Sequence, residues 1–129
     1  MKPCHAVVLF AHGARDARWS ESLQALAEAI QAQLTQASVR TAFLELQSPT
    51  LPEALEAAAA DGARRIDVVP VFWAGAGHID HSLPPIIAAF ARHHPEVVVR
   101  SLPVLSELPG MLDFIAGTIA RSADRPTGS

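Results

Sequence analysis

A single cysteine, Cys4, among 129 residues excludes an intramolecular disulfide and any Cys-x-x-Cys metal or redox motif. Its place at the head of an apolar run predicts a buried structural thiol. Charge is sparse too, with 18% of residues charged against the usual quarter. That shortage predicts apolar surface covered by a partner, most simply a second copy of the chain. A net charge of −3 and no cluster of Lys or Arg leave no electrostatic footprint for nucleic acid. No apolar run approaches the length of a membrane span, and no small-residue cleavage pattern follows MKPCHAVVLFAHGARD. The expectation is a soluble, cytoplasmic protein with neither a membrane nor a nucleic-acid partner.

Several catalytic signatures are also missing. There is no P-loop, and no GxSxG elbow accompanies the His12-Gly13 pair. GAGH, ending at His78, supplies only part of a dinucleotide fingerprint and follows the third predicted strand rather than the first. No nucleotide cofactor is therefore expected. Ala11 stands where a phosphohistidine enzyme would want an arginine, so nucleophilic catalysis has little support.

What is present is an alternation of strand and helix. His5–Ala11 is a short continuous apolar run, the mark of a strand covered on both faces. Apolar residues then recur at helical spacing from Trp19 to Gln36, with Asp16 or Ser20 as the cap. Val39–Leu46 reads as a second strand. Thr50, Pro52 and Glu53 open a second helix that stops at Gly62. Ile66–Phe72 is the third strand, Leu83–His94 the third helix, Val97–Arg100 the fourth strand and Leu108–Ala120 the last helix. Such units with short connections predict a three-layer α/β domain over residues 1–120, an open parallel sheet of four strands with helices on both faces. The flavodoxin-like order puts the first strand between the second and third. Residues 121–129 read as a flexible tail.

In an open parallel sheet, ligands bind outside the carboxyl ends of the strands. His12 and His78 each sit just past a predicted strand, and neutral imidazole suits divalent transition metals. Taken singly, each is as well read as a turn or loop histidine; together they deliver one ligand type to one edge. Glu45, beside Val39, Thr41 and Phe43 on one side of the second strand, is a candidate ligand or proton acceptor, or else a solvated strand-end glutamate. Arg15 and Arg18 flank the His12 loop, where guanidinium groups would suit carboxylates or phosphates, though ordinary solvated arginines fit equally well. Trp73 offers an aromatic wall for a flat ligand, or else a core or dimer-interface contact. Gly77 lets a bulky ligand approach the backbone. His81 and Asp80 are weaker candidates, as accessory ligand and histidine-orienting carboxylate. His93 and His94 read as exposed residues at a helix end, and His5 has no visible partner.

The blocks LFAHGARDARWSESLQALAEAI, FLELQSPTLPEAL and GARRIDVVPVFWAGAGHIDHSLP resemble, in order, the small sirohydrochlorin chelatases of cobalamin and sirohaem biosynthesis. The resemblance implies a class II chelatase half-domain that works as a homodimer. It implies ATP-independent insertion of a divalent metal, cobalt first and iron or nickel in some branches, into the tetrapyrrole sirohydrochlorin. It matches His12 and His78 to the metal-binding histidines and Glu45 to the acidic residue of the FLEL segment. Two departures stand out: Ala14 replaces the serine of HGSR, and Ser82 stands where an aspartate often precedes Leu-Pro or Ile-Pro. A cobaltochelatase is the leading expectation. A ferrochelatase on the same scaffold, a metal-delivery protein without chelation and a tetrapyrrole-binding module are the alternatives.

Overall fold

His5–Ala11 (β1) is the expected apolar strand, and every side chain from Ala6 to Ala11 is buried. A strand hidden on both faces must satisfy its backbone by pairing on both edges. It does so with Ala37–Phe43 (β2) on one side and Arg65–Pro70 (β3) on the other, with Val98–Ser101 (β4) beyond β3. The sheet is parallel throughout, in the order β2-β1-β3-β4. The computed structural model describes residues 4–13, 16–44, 47–75 and 77–125, with backbone alone for 77–80. Among the described residues no helix is long and apolar enough to cross a membrane.

The helices are Ala17–Gln33 (α1), Leu51–Ala60 (α2), Gly77–His93 (α3) and Met111–Ala123 (α4). Right-handed crossovers in this strand order send α1 to one face and α2 and α3 to the other. The packing agrees. Ala6, Val8, Phe10, Ile66 and Val68 form one core layer with Leu51 and Leu55 of α2 and Leu83 and Phe90 of α3. Val7, Leu9, Ala11 and Phe43 form a second with Leu23 and Ala27 of α1.

Local signals set most boundaries. Asp16 caps α1 by accepting the Arg18 N–H at 2.9 Å. Gln31 closes the turn into β2, donating to the Ala37 carbonyl at 2.7 Å and accepting the Val39 N–H at 3.0 Å. Thr50 and Glu53 form the capping box of α2, each side chain bonded to the other's backbone N–H.

Other expectations need correction. β2 ends at Phe43 instead of Leu46, where the chain folds back and the Phe43 N–H donates from the sheet's outer edge to the Pro49 carbonyl at 2.9 Å. β3 ends at Pro70 instead of Phe72, and β4 is displaced by one residue. α3 begins at Gly77, well before Leu83, and carries Pro84 and Pro85 inside it. The prolines supply no N–H to the carbonyls one turn earlier. The buried Leu83 and Phe90, with Ile86 and Ile87 against the core, hold the helix across them. α4 starts after a 3₁₀ turn, Leu105–Glu107, and a left-handed Gly110 (φ 79°). It continues to Ala123, so residues 121–123 are helical, while residues 126–129 lie outside the described residues. Cys4 is exposed; its backbone carbonyl, not its thiol, is the structural element, accepting the Arg64 and Arg65 N–H groups at 2.7 and 3.1 Å. His94 is half-buried, stacked on Phe90 and 2.9 Å from Glu56 of α2.

His5 also has a partner. Asp67, on β3, is the one buried charged residue among those described. Its carboxylate lies 2.6 Å from His5 Nε2, and accepts from Arg65 Nη2 at 3.2 Å and from Arg100 Nε. Burial opposes ionisation of Asp67, but the hydrogen bonds from Arg100, His5 and Arg65 outweigh it and hold the carboxyl below its ordinary range. A depressed folded-state pKa adds stability above the unfolded pKa of about 3.9, lost as pH falls through the folded value. Asp67→Asn should therefore cost about 2 kcal/mol at pH 7. In urea unfolding, the gap between this variant and wild type should narrow between pH 4 and pH 2. A gap that stays constant over that interval would refute the assignment.

Candidate functional site

The register of β1 decides what meets at the sheet's carboxyl edge. Ala11 pairs with Phe43 of β2, and Phe10 with Pro70 of β3. The segments leaving those three strands therefore emerge side by side, about 4.8 Å apart from strand to strand. They carry, in turn, His12, Glu45 and the Gly75–His78 stretch.

His12 follows β1 directly and is exposed, in contrast to the buried run before it. Gly13 is buried at φ 101°, a conformation that favours glycine. The chain thus reverses immediately after His12 and leaves the imidazole at the edge. Arg18, in the first turn of α1, is exposed and forked onto Asp16, with Nη2 2.9 Å from Oδ2. That pairing occupies part of its guanidinium and pins it beside the His12 loop. Arg15 and Ala14 lie outside the described residues, as does Glu45.

The loop carrying Glu45 is nonetheless fixed on both sides of that residue. The Leu44 N–H donates to the Ala11 carbonyl at 2.9 Å, extending the β1–β2 ladder one step. On the far side, the Gln47 amide donates to Ser20 Oγ of α1. The Ser48–Pro49 peptide is cis, and the Phe43–Thr50 bridge closes the loop. Gln47 and Ser20 were not among the expected site residues. No pattern signals them, since a Gln and a Ser far apart in sequence show no pairing until the loop folds back.

After β3 the Val71 N–H donates to the Phe10 carbonyl at 2.8 Å, and Phe72 sets its ring edge-on to Phe10 with centroids 6.2 Å apart. Trp73 is half-exposed and so is not the core residue it might have been. Its carbonyl accepts the Ser106 N–H at 2.9 Å, tying this loop to the 3₁₀ turn. Gly77 and His78 form the first turn of α3, not a loop. His81 follows in the same helix and is exposed, with Ser82 half-buried. The side chains of His78 and Asp80 lie outside the described residues.

A cleft of about 590 Å³ opens at the same edge, between the first half of α3, the ends of β3 and β4, and the 3₁₀ turn. Pro70, Gly75, Leu83, Pro84, Leu102 and Val104 give it a largely apolar wall, with Ser101 and Glu107 as polar points. His12 is not among its lining residues; it stands one strand over, past β1. Among the described residues no cluster of three His, Cys, Asp or Glu side chains forms, and of the two histidines expected to hold the metal only the His12 side chain lies among them.

Comparison with known proteins bears on this edge. The CbiX family matches residues 6–122. A sirohydrochlorin cobaltochelatase of Methanocaldococcus jannaschii is 35% identical over 89 residues, covering 69% of this chain and 62% of its own. A sirohydrochlorin ferrochelatase of Bacillus subtilis is 33% identical over 92 residues, covering 71% of this chain but 35% of its own. The matched stretch thus spans from about a third to under two thirds of these relatives' lengths. The crystal structure of a CbiX protein from Marinobacter aquaeolei VT8 superposes with a TM-score of 0.79 at 29% identity, over 95% of this chain and 99% of that one. The chain belongs to the CbiX family, and its relatives are sirohydrochlorin chelatases named for cobalt and for iron.

Proposed function

We propose that this chain inserts a divalent metal, cobalt first, into sirohydrochlorin without a nucleotide, acting in the cytoplasm as a homodimer. The observation that carries this reading is the convergence of the His12, Glu45 and His78 segments on one sheet edge, in a member of a family with chelatase relatives. His12 and His78 hold the incoming ion, which is a substrate here. Two imidazoles leave coordination positions open, and borderline ions such as Co²⁺, Fe²⁺ and Ni²⁺ suit nitrogen ligands better than Mg²⁺ does. An incompletely held ion can pass to four ring nitrogens.

Metallation of the free ring releases two pyrrole N–H protons for each ion bound. Glu45 accepts a proton as the ion descends, and solvent receives the other. The exposed edge beside His12 permits that exchange. Arg15 and Arg18 meet the ring's carboxylates, Trp73 supplies a flat apolar wall, and Gly77 lets the macrocycle approach the start of α3. Ala14 and Ser82 remove a hydroxyl and a carboxylate relative to the family pattern, which bears on how the ring is seated or on which metal is preferred.

Anaerobic insertion of Co²⁺ and of Fe²⁺, followed by tetrapyrrole absorbance, tests the reading. Wild type should exceed the uncatalysed rate, and His12→Ala and His78→Ala should each lower kcat/KM by about 10²-fold or more. The faster ion identifies the reaction as cobalt or iron chelation. Binding of Co²⁺ with no acceleration by wild type would replace the enzyme with a metal-delivery protein.

Gln47→Ala separates positioning from chemistry. Releasing the Glu45 loop from Ser20 should reduce kcat severalfold while the affinity for Co²⁺ alone, read by titration, is unchanged. A loss of Co²⁺ affinity equal to that of His12→Ala would place Gln47 in the ion's own coordination instead.

A further inference from the structure

The chain has two tryptophans and no tyrosine, and both tryptophans stand at the carboxyl edge of the sheet. Trp19 lies in the first turn of α1 and is 38% exposed; Trp73 follows β3 and is 49% exposed. Phe10, Phe43 and Phe90, by contrast, are buried. An indole carries a large apolar area, and leaving two of them half-exposed beside a cleft forgoes burial that the core could have used.

Helix geometry fixes the direction of Trp19. Leu23, one turn further on, is buried against the sheet with Ala27. Ser20 and Trp19 fall on opposite sides of that Leu23 line, since successive residues turn by about 100°. Ser20 is the one turned toward β2, because it meets Gln47 in the loop after that strand. Trp19 is therefore turned toward β3. On β3 and its exit, Val69 and Val71 pack on this same face, while Phe72 sets its ring against Phe10 on the other. Alternation along the chain returns Trp73 to the Val71 side. α1 lies over β1 and β2, so this side of β3 is the part of the face that it leaves uncovered. The two indoles thus flank one stretch of the edge on the α1 side. The His12 segment stands at the crest, and the apolar cleft lies on the α3 side.

We infer that Trp19 is a specificity-determining contact for the macrocycle, packing with Trp73 against the part of the ring that overhangs the α1 side of the edge. The inference deepens the chelatase reading above and rests on it. The occupant is a large, flat, conjugated ring that bears carboxylates. The cleft walls only the α3 side, and the exposed His12 faces solvent on the other until something covers it. Two indoles supply the apolar surface needed there, and a π-face accepts a flat partner without a directed hydrogen bond. Arg18, exposed and adjacent to Trp19, sets a cation where the ring's carboxylates emerge. Such packing is made equally before and during insertion, so it governs KM and not kcat.

Equilibrium binding of metal-free sirohydrochlorin to the whole chain, read by ring absorbance after ultrafiltration, tests this without turnover. Trp19→Ala and Trp19→Leu should each weaken binding about tenfold, and Trp19→Phe no more than about threefold, because only phenylalanine keeps an aromatic face. In the insertion assay Trp19→Leu should raise KM by the same factor and leave kcat within about twofold. Affinity for Co²⁺ alone should be unchanged in all three variants, with far-UV circular dichroism like that of wild type. Leu34→Ala, at an equally exposed apolar residue of the far end of α1, should bind the ring as wild type does. Wild-type ring affinity in Trp19→Leu would overturn the role of Trp19 and leave the chelatase standing. A loss that Leu34→Ala shares, or a matching loss of Co²⁺ affinity, would also overturn it and assign Trp19 to the fold. A wild type that binds no ring would overturn both this inference and the chelatase reading.

Discussion

The pairing of β1 with a strand on each side is the constraint on which the rest depends. Its side chains from Ala6 to Ala11 are hidden on both faces, so its backbone groups have no solvent to turn to. β2 and β3 must supply every bond, and the register they adopt is the one that keeps Phe43 and Ile66 inward. A slip of one residue would reverse the faces of an entire strand. Register in the core thus dictates which residues leave the sheet together at its edge.

The candidate site follows from that arrangement with few further devices. A buried Gly13 turns the chain under His12, the Leu44–Ala11 and Gln47–Ser20 bonds bracket the Glu45 loop, and α3 begins directly at the edge with Gly77 and His78. An edge built this way is open, which suits a reaction in which an ion must enter and leave within one turnover. The cleft beyond β3 has apolar walls and only two polar points, so it suits the flat part of a ligand rather than the ion itself. On the proposed reading, metal handling and ring seating fall to adjacent parts of one edge.

The opposite end of the sheet does different work. Asp67 gathers His5, Arg65 and Arg100 from three strands, where an apolar residue would have needed a covering helix. That cluster makes the uncovered half of the sheet tolerable in a single copy without making it inert.

Local sequence is enough for the strand–helix alternation, the central place of β1, the capping box at Thr50 and the arrival of the segments carrying His12 and His78 at one edge. These rest on local rules: apolar runs, helical periodicity, capping chemistry and right-handed crossovers all act over short stretches of chain. Tertiary structure alone decided the rest. Prolines that read as a helix start lie inside α3, because Leu83 and Phe90 bury against the core on both sides of them. β2 stops at Phe43, where the chain folds back onto it through Pro49, and at Cys4 the carbonyl, not the thiol, meets the neighbouring turn. His5 finds Asp67, and Gln47 finds Ser20, across separations no local pattern encodes. Such pairings depend on which surfaces meet once the sheet is assembled, and that is settled by burial over the whole domain.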